Sequence, residues 1–454
     1  MTNQEEFKLK AISPLDGRYS DKTSVLAEYC SEYALIKYRV IAEVKWLQYL
    51  SSEKVIPQLS VTTSSKLKNI LDSFDINDAL KVKNIELQTN HDVKAIEYFL
   101  AQTLEDPLVT AFIHFGCTSE DINNIAYALM LSDLRKTLIL NDINKFLSSL
   151  QVLSKNWSET SMLSHTHGQP ASPTTLGKEL AVFYNRISSQ LKTLNKIDIL
   201  AKMNGAVGNF NAHQIALPNV NWIEISNTFI RSLGLIPNSL TTQIEPHDWI
   251  AEYAHALIRI NTILIDFSRD IWLYISNGYL RSKPISTETG SSTMPHKVNP
   301  IDFENAEGNL GVSNALLNHL ALKLPISRLQ RDLSDSTVLR NLGSCVAYQL
   351  IALKSLHKGL SRIDINQKAI SSDLESEPEV LAEAIQTVMR SQGISDAYDQ
   401  LKEFTRGKKI TIEELHIFIS KTEIDNEAKL RLLNLKASDY IGLAKILADH
   451  ISSE

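Results

Sequence analysis

Apolar residues recur along much of this chain at alternating steps of three and four positions. The clearest example lies between Pro246 and Gly278, a window without glycine or proline. Its apolar face is formed by Ile250, Tyr253, Leu257, Ile260, Leu264, Phe267, Ile271 and Tyr274. Charged residues such as Arg259, Asp266 and Arg269 fall elsewhere on the helix surface. The pattern predicts an amphipathic helix of about 30 residues, more than twice the mean length in globular proteins.

Other stretches carry the same helical signal. Residues 117–167 and 344–358 contain neither glycine nor proline, and apolar positions from Leu176 to Leu194 keep the helical period. Strand signals are weak, and only residues 204–211, with two glycines, predict a turn or a short hairpin. We therefore expect an all-α fold with a central bundle of very long helices, whose apolar faces favour oligomerisation.

Three consecutive domains are expected along the chain. An N-terminal helical domain covers residues 1–112, and a central long-helix bundle covers residues 113–366. The C-terminal helical domain, residues 367–454, is richer in charge than the bundle. Its helical patterns are shorter and fall at 375–389, 396–404 and 412–421.

Composition and charge narrow the function classes. The 454 residues are 43% hydrophobic and 22% charged, an ordinary balance for globular domains. With 46 Lys and Arg residues against 52 Asp and Glu residues, the net charge of −6 argues against a dedicated nucleic-acid-binding protein. Any anionic ligand must then be held by a local cluster of cations.

Signals of export and membrane insertion are also missing from the sequence. The first residues contain no apolar segment typical of a secretory signal, and no stretch reaches about 18 consecutive apolar residues. Cys30, Cys117 and Cys345 are too few and too widely spaced for a disulfide framework or a zinc site. We expect a cytoplasmic protein that binds neither a membrane nor nucleic acid.

The most informative segment is GSSTMPHKVNP, residues 290–300. Pro300, followed by Asp302 and Glu304, marks the start of a helix. Residues 284–299 before it are predicted to form a loop and are rich in Ser and Thr. Residue types alone leave two interpretations open: a flexible connector, or a mobile lid that carries hydroxyls, an ammonium and an amide.

A second candidate segment contains His165 and His167 between Ser164 and Pro170. A metal site is the less favoured interpretation, because zinc-binding helices usually space their ligands at i and i+4. A general acid in a tight loop fits better, since imidazole titrates near neutral pH. A hydrogen-bonded loop histidine is a third interpretation.

Further segments combine polar groups that suit an anionic ligand. Residues 118–121, TSED, form a helix-capping sequence, and the same helix N-terminus would attract an anion. Residues 89–94 combine Asn, His and Lys at a predicted helix start. Arg331 and Arg340 flank a hydroxyl cluster, which is either a charged surface loop or an anion clamp. Gln243, close to another helix start, offers an amide to a ligand.

Taken together, these segments resemble the fumarase/aspartase superfamily. Residues 291–300, SSTMPHKVNP, match every fixed position of its signature loop. The likeness runs from Leu15 to the C-terminal region, although His165 stands where many members have arginine. Within the superfamily, the adenylosuccinate lyases of the bacterial type are similar in the order of Asn90-His91-Asp92, Thr118-Ser119, Thr166-His167-Gly168-Gln169, Gln243 and Arg331…Arg340.

The resemblance implies a C–N lyase of purine nucleotide synthesis. Such an enzyme removes fumarate by β-elimination from adenylosuccinate, giving AMP, and from succinyl-aminoimidazole-carboxamide ribotide, giving aminoimidazole-carboxamide ribotide. The family also implies a homotetramer whose active sites are shared among subunits, and neither a metal nor an organic cofactor. Ser291 is then the general base and His167 the general acid.

Substrate contacts are implied in the same way. The phosphate is assigned to Arg18, Tyr19, Ser336 and Arg340. The succinyl carboxylates are assigned to Thr118, Ser119, Lys297 and Asn299. The implied substrate-binding set is completed by Asn90, Asp92, Lys94, Ser292, Asn305 and Arg331. His91 and Gln243 would orient the substrate, although His91 could instead act with His167 in proton delivery.

Elementary chemistry agrees with these roles, and two alternative functions stay open. A serine hydroxyl is a poor base in water, so Ser291 needs excluded water and nearby positive charge, which Lys297 and loop N–H groups would supply. A sister lyase acting on argininosuccinate, fumarate or aspartate would not need cations for a phosphate. A catalytically inactive helical module would need neither Ser291 nor His167.

Overall fold

In the computed structural model the chain is mostly helical, with small two-stranded sheets. The structure describes residues 3–283, 294 and 297–451. The predicted all-α fold class is confirmed. Within those described residues, no helix combines the length and the apolar character needed to cross a membrane.

The elements follow one another in chain order. The helices up to residue 110 are α1 (Asn3–Lys10), α2 (Ser20–Thr23), α3 (Ala27–Cys30), α4 (Glu32–Ser52), α5 (Val61–Ser73), α6 (Ile76–Thr89), α7 (Asp92–Leu104) and α8 (Pro107–Thr110). The middle helices are α9 (Ser119–Leu134), α10 (Leu140–Asn156), α11 (Leu176–Lys196), α12 (Asn211–Ala216), α13 (Trp222–Ser232), α14 (Asp248–Ser276), α15 (Ile301–Lys323), α16 (Ser334–Leu339) and α17 (Leu342–Leu360).

The C-terminal helices and the strands complete the order. The helices are α18 (Gln367–Glu375), α19 (Ala382–Ser391), α20 (Ala397–Thr405), α21 (Ile412–Lys421), α22 (Asn426–Leu433) and α23 (Ala444–His450). The strands are β1 (Ser161–Thr166), β2 (Gln169–Thr175), β3 (Leu200–Ala201), β4 (Ile236–Pro237), β5 (Leu280–Ser282) and β6 (Ile363–Ile365). Strands β1 and β2 pair antiparallel, as do β5 and β6, whereas β3 and β4 pair in parallel.

The long helices lie where the hydrophobic pattern predicts them. Helix α14 has 29 residues, and every position of its predicted apolar face from Ile250 to Ile271 is buried, while Tyr274 is half-buried. The charged residues Arg259 and Asp266 are exposed. Helices α11 and α17 confirm the predicted windows 176–194 and 344–358.

The window 117–167 is helical only in part. Helix α9 continues through a π-helical turn (Arg135–Ile139) into α10, but α10 ends at Asn156 and the β1–β2 hairpin follows. This hairpin was not predicted. Strand β1 buries Met162 and Leu163 in succession, beside an irregularity in the register, so it lacks the alternation that marks a strand.

Two smaller expectations are also resolved by the structure. Residues 204–211 form a turn, one of the two expected alternatives, and no hairpin is present there. The predicted helix at 375–389 is wrong as one element, because α18 ends at Glu375 and a 3-10 turn covers Pro378–Leu381 before α19. Pro378 has no N–H to continue the hydrogen-bond pattern of a helix.

The chain forms two compact units, each assembled from separate segments. Unit 1 comprises Met1–Ile143, Gln190–Thr262 and Gly308–Lys354. Unit 2 comprises Asn144–Ser189, Ile263–Glu307 and Ser355–Glu454. The three consecutive domains expected from the sequence stay a prediction.

Each unit has its own packed core. In unit 1, α4 packs against α9 along buried aliphatic side chains. In unit 2, aromatic rings surround Phe267, whose centroid lies 5.4 Å from that of Phe146 and 5.3 Å from that of Phe183. Both pairs meet edge to face, the arrangement that aromatic quadrupoles prefer.

A fully buried ion pair fixes the start of α9 in unit 1. Lys202 Nζ lies 3.0 Å from Asp121 Oδ1, and neither side chain is exposed to solvent. The Asp121 carboxylate also accepts hydrogen bonds from the N–H groups of Thr118, Asn204 and Gly205, at 2.8, 3.0 and 3.1 Å. One side chain therefore holds both the N-terminus of α9 and the turn that follows β3.

Replacing Lys202 by methionine should lower the free energy of unfolding by about 3–5 kcal/mol, because the buried carboxylate of Asp121 loses its cation. Urea unfolding followed by circular dichroism measures the change. The matched control is Lys196→Met, at an exposed position, which should change the free energy by less than about 0.5 kcal/mol. Equal effects of the two substitutions would contradict the prediction.

Candidate active site

The N-terminus of α9 carries two candidate residues. Thr118 precedes the helix, Ser119 is its first residue, and both are half-buried. The predicted capping is confirmed for the carboxylate, because Asp121 accepts the Thr118 N–H. Two hydroxyls beside the positive end of a 16-residue helix form a place that favours a carboxylate ligand.

The turn at residues 204–208 brings Gln243 to the same region. Gln243 Nε2 donates a hydrogen bond to the carbonyl oxygen of Ala206 at 2.9 Å, which fixes the side chain. Gly208 has a φ of +81°, and a Cβ at this position would lie 2.2 Å from the carbonyl oxygen of Thr241. Only glycine allows this close approach. Through the turn, Asp121 also governs the position of Gln243.

Arg331 lies between two acidic side chains. Its Nη1 atom is 2.8 Å from Glu120 Oε2, and its Nη2 atom is 3.9 Å from Asp335 Oδ1. Because Glu120 follows Ser119, this ion pair joins Arg331 to the N-terminus of α9. Asp335 Oδ2 in turn lies 3.5 Å from His247 Nε2. The side chain of Arg331 is 19% exposed, so the loop before α16 holds it against Glu120 rather than in open solvent.

Arg340 is joined to the start of α7 through carboxylates. It lies 2.6 Å from Glu32 Oε2 and 3.6 Å from Asp92 Oδ2. Asp92 also pairs with the buried Arg39 at 2.7 Å. Burial alone would raise the pKa of Asp92, but Arg39, the Val93 N–H and Arg340 outweigh burial and lower it. Asp92 therefore stays ionised and holds Arg340 in place.

His91 begins α7 as its N-cap. Its Nδ1 atom accepts a hydrogen bond from the Lys94 N–H at 3.1 Å, so Nε2 carries the proton of the neutral ring. Asn90, just before it, adopts a left-handed φ of +51° that ends α6. Lys94 Nζ pairs with Glu97 at 2.7 Å and lies 5.3 Å from the ring centroid of Tyr98. The predicted helix start is confirmed.

The turn that contains Arg18 and Tyr19 lies beside Arg340. Asp16, Ser20 and Arg340 line one cavity of about 370 Å³ in unit 1. Arg18 is exposed, and no carboxylate of the described chain pairs with it.

Ser336 lies in the first turn of α16, between Arg331 and Arg340 in sequence. Its N–H donates to Asp335 Oδ1 at 2.7 Å. Asp335 also approaches Arg331. The carboxylate of Asp335 therefore holds both Arg331 and the backbone of Ser336.

His167 stands at the tip of the β1–β2 hairpin in unit 2. Thr166 pairs with Gln169, and the two residues between them, His167 and Gly168, have φ of +55° and +74°. Two-residue hairpin turns of type I′ require positive φ at both central positions. The conformation is uncommon for a side chain larger than glycine, and such residues concentrate at functional sites. The ring of His167 is exposed, so it is available to a ligand.

A cavity of about 1160 Å³ in unit 2 adjoins this hairpin. His165, Thr166 and Gly168 line it, together with Asp270 and Asp373. Burial raises the pKa of Asp270. In the part of the chain that the structure describes, the one group of potential metal ligands contains neither His165 nor His167, so the metal interpretation of this segment gains no support.

The remaining candidates belong to unit 2. Ser291 and Ser292 lie outside the described residues. Lys297 is exposed and Asn299 is half-buried, both shortly before α15. Asn305 Oδ1 accepts a hydrogen bond from Ser355 Oγ at 2.7 Å, so part of its hydrogen-bonding capacity is used within the unit.

Ion pairs and hydrogen bonds therefore join several predicted binding residues of unit 1 into two groups, one around Arg331 and one around Arg340. The links run through side chains that were not predicted as site residues: Arg39, Glu120, His247 and Asp335. The sequence did not indicate a role for these residues, because a buried carboxylate cannot be distinguished from a solvated one by residue type. The predicted capping role of the TSED segment is correct for Asp121. It does not describe Glu120, which pairs with Arg331 instead.

Comparisons with known proteins identify the family of the chain. A family described as Lyase matches residues 17–316, and one described as Adenylosuccinate lyase C-terminal matches residues 327–441. Adenylosuccinate lyases of Haemophilus influenzae and of Legionella pneumophila strain Corby are each 51% identical over 451 residues, covering 98% of this chain and 99% of theirs. A solved fumarate lyase from Mesorhizobium sp. BNC1, 18% identical, covers 95% of this chain and 97% of its own with a TM-score of 0.74, which shows the fold. The chain belongs to the adenylosuccinate lyase family.

Proposed function

We propose that this chain cleaves adenylosuccinate into fumarate and AMP by β-elimination, and that it cleaves succinyl-aminoimidazole-carboxamide ribotide in the same way. Membership in the family over nearly the full chain makes it a C–N lyase of purine nucleotide synthesis. The contact network of unit 1 is the observation that carries the residue-level proposal. It joins the N-terminus of α9 to Arg331, and Arg340 to the start of α7.

The charge of the substrate sets the first requirement. A phosphate near −2 and two carboxylates give adenylosuccinate about four negative charges. Arg331 and Arg340 are each paired with carboxylates, so they offset less of that charge than free guanidinium groups would. Arg18 and Lys297 have no carboxylate partner among the described residues. We infer that these two side chains supply the uncompensated positive charge.

The anionic groups are assigned accordingly. The phosphate is held by Arg18, Tyr19, Ser336 and Arg340, and the cavity shared by the Arg18 turn and Arg340 supports this assignment. The succinyl carboxylates are held by Thr118, Ser119, Lys297 and Asn299, where the positive end of α9 adds to the attraction. Asn90, Asp92, Lys94, Ser292, Asn305 and Arg331 stay predicted substrate-binding residues.

The elimination needs a base for the C–H beside a carboxylate and an acid for the leaving nitrogen. We assign Ser291 as the base and His167 as the acid. The ring of His167 is exposed and projects from a hairpin turn of fixed backbone, which supports proton delivery to a bound ligand. Lys297 would stabilise the serine oxygen as it gives up its proton, or the aci-carboxylate that forms on the substrate.

His91 and Gln243 are assigned to orient the substrate. Because His91 Nδ1 accepts the Lys94 N–H, its Nε2–H is a hydrogen-bond donor that can reach a ligand. Taking up a second proton at Nδ1 would break the N-cap of α7. The cap therefore favours orientation of the substrate over a share in proton delivery.

We further propose a homotetramer with shared active sites, located in the cytoplasm. Val312 and Leu322 on the long helix α15 are exposed apolar side chains, which supports association through helices. Cys30, Cys117 and Cys345 form no disulfide, as is usual in a reducing compartment.

The purified protein should consume adenylosuccinate, followed by the absorbance of the purine ring, and leave argininosuccinate intact. Arg18→Gln should raise the KM for adenylosuccinate by about tenfold or more, because a hydrogen bond to a charged group is worth about 1.5–3 kcal/mol. The control Arg406→Gln, at an exposed C-terminal position, should leave KM unchanged. Turnover of argininosuccinate instead would refute the substrate, and an unchanged KM in Arg18→Gln would refute the phosphate assignment.

His167→Ala should lower kcat for adenylosuccinate by at least about 10²-fold, the usual contribution of general acid–base catalysis. Steady-state kinetics on the purified variant measures the loss. The control His450→Ala removes an exposed histidine at the end of α23 and should keep the wild-type rate. A wild-type rate in His167→Ala would transfer the acid role to His91.

Mixed assemblies test the shared sites. Ser291→Ala and His167→Ala should each be inactive alone. If one site takes the base and the acid from different subunits, co-expression at equal amounts should restore about a quarter of the wild-type activity, because a quarter of the sites then hold both groups. Light scattering on the eluted species measures the oligomeric state. No recovery in a confirmed tetramer would place both groups in one subunit.

A further inference from the structure

A cluster of buried ionisable side chains lies directly behind the proposed substrate-binding residues of unit 1. Glu120, Glu245, His247 and Asp335 are at most 4% exposed. His247 Nε2 lies 3.5 Å from Asp335 Oδ2, and His247 Nδ1 lies 3.8 Å from Glu245 Oε2. Ligand-type atoms of Glu120, His247 and Asp335 all lie within 4.8 Å of one another. His247 is therefore surrounded by three carboxylates.

Each of these carboxylates is attached to a different substrate-binding segment. Glu120 follows Ser119 on α9 and pairs with Arg331 at 2.8 Å. Asp335 accepts the Ser336 N–H at 2.7 Å.

Glu245 belongs to the segment that carries Gln243, two positions before it. It accepts hydrogen bonds from Asn238 Nδ2 at 2.9 Å and from the His247 N–H at 2.8 Å. The side chain of His247 thus faces all three segments.

The charge of the cluster requires a second cation. Three carboxylates face one guanidinium, that of Arg331, and charges repel strongly where water is excluded. With a neutral imidazole the cluster would carry two uncompensated negative charges, and with an imidazolium only one. Burial alone would lower the pKa of His247, but the hydrogen bond to Asp335 and the charges of Glu120 and Glu245 outweigh burial and raise it. Burial also raises the pKa of Glu120.

We propose that His247, as an imidazolium, is a positioning residue of the active site. It draws Asp335 and Glu245 together and lowers the repulsion on Glu120, so that Arg331, Ser336 and Gln243 are held in register with the N-terminus of α9. His247 itself touches no substrate. The inference rests on the proposed binding roles of Arg331, Ser336 and Gln243.

A metal ion is the competing occupant of this cluster. Glu120 Oε1 is buried and has no hydrogen-bond partner within the described chain, which leaves one oxygen for a ligand. Arg331, however, already contacts both Glu120 and Asp335, where it supplies the positive charge that a metal would bring. The geometry therefore favours the pair of Arg331 and a protonated His247.

His247→Gln tests the proposal, because glutamine can keep a hydrogen bond to Asp335 but carries no charge. We expect the KM for adenylosuccinate to rise about tenfold while kcat changes less than threefold, since binding groups are displaced and the reacting groups are not. The control is His255→Gln, two turns later on α14 at an exposed position, which should leave both constants unchanged.

The pH profile separates a positioning role from a merely structural one. Because its pKa is raised, His247 contributes as a cation at low pH, and the contribution is lost as pH rises through the raised value, above the ordinary value of about 6.5. The KM of the wild type should therefore rise with pH in that range. In His247→Gln the KM should already be high and lack this rise.

A second substitution should rescue the first. Asp335→Asn in the His247→Gln background removes one negative charge and returns the cluster to its original net charge, while the asparagine oxygen can still accept the Ser336 N–H. We expect KM to return to within about threefold of the wild type. The double variant also keeps the proposal testable if His247→Gln alone fails to fold.

Other results would overturn the proposal. An unchanged KM and pH profile in His247→Gln would refute it, as would a fall in kcat alone or the absence of rescue. Activity lost on dialysis against EDTA and restored by zinc, with zinc bound to the holoenzyme, would replace the imidazolium by a metal site. Arg331→Gln distinguishes failure of the proposed function from failure of this inference. If Arg331→Gln also leaves KM unchanged, the proposed binding role of Arg331 is wrong. If Arg331→Gln raises KM and His247→Gln does not, only the positioning role of His247 is wrong.

Discussion

The buried pair of Asp121 and Lys202 is the interaction on which the proposed binding site depends. Isolated buried charges are unfavourable, and this pair is stable because the carboxylate also accepts three backbone N–H groups while the ammonium donates to the carbonyl oxygen of Gly205. The backbone groups belong to the start of α9 and to the turn that holds Gln243. If the pair were lost, Thr118, Ser119 and Gln243 would lose their common anchor, so a core interaction sets the geometry of three residues that are proposed to bind substrate.

An element could be predicted from the sequence only where its residues repeat a regular hydrophobic pattern. The helix α14 repeats its apolar pattern over 29 residues, which makes its length and its buried face predictable. The β1–β2 hairpin left no such signal, because Met162 and Leu163 are both buried and the alternation is lost. The candidate residues were predicted from the order of short motifs along the chain. Glu120 and His247 were not predicted, because their burial and their ion pairs arise only when distant segments of the chain meet.

The β1–β2 hairpin defines the backbone position of His167, the proposed acid, more closely than a loop without strand pairing would. Antiparallel pairing fixes the register of Thr166 against Gln169, and a slip by one residue would turn the side chains to the opposite face. His167 occupies the turn at a φ of +55°, a conformation that the flanking strands maintain against its small intrinsic cost. The turn therefore fixes the backbone from which the His167 side chain projects, and a fixed backbone would reduce the reorganisation needed for proton transfer if His167 is the acid.

The arginines of unit 1 are paired before any substrate arrives, and this bears on specificity. Arg340 contacts the half-exposed Glu32, so an anion that binds Arg340 must compete with a carboxylate of charge −1. A phosphate near −2, with three acceptor oxygens, can succeed in that competition, whereas a substrate that offers only another carboxylate gains little by the exchange. The pairing also keeps the guanidinium in one orientation, which reduces the entropy lost on binding. If Arg340 binds the substrate phosphate as proposed, this pairing favours a phosphorylated substrate by competition as well as by attraction, and argininosuccinate, which lacks a phosphate, would leave the Glu32–Arg340 pair intact.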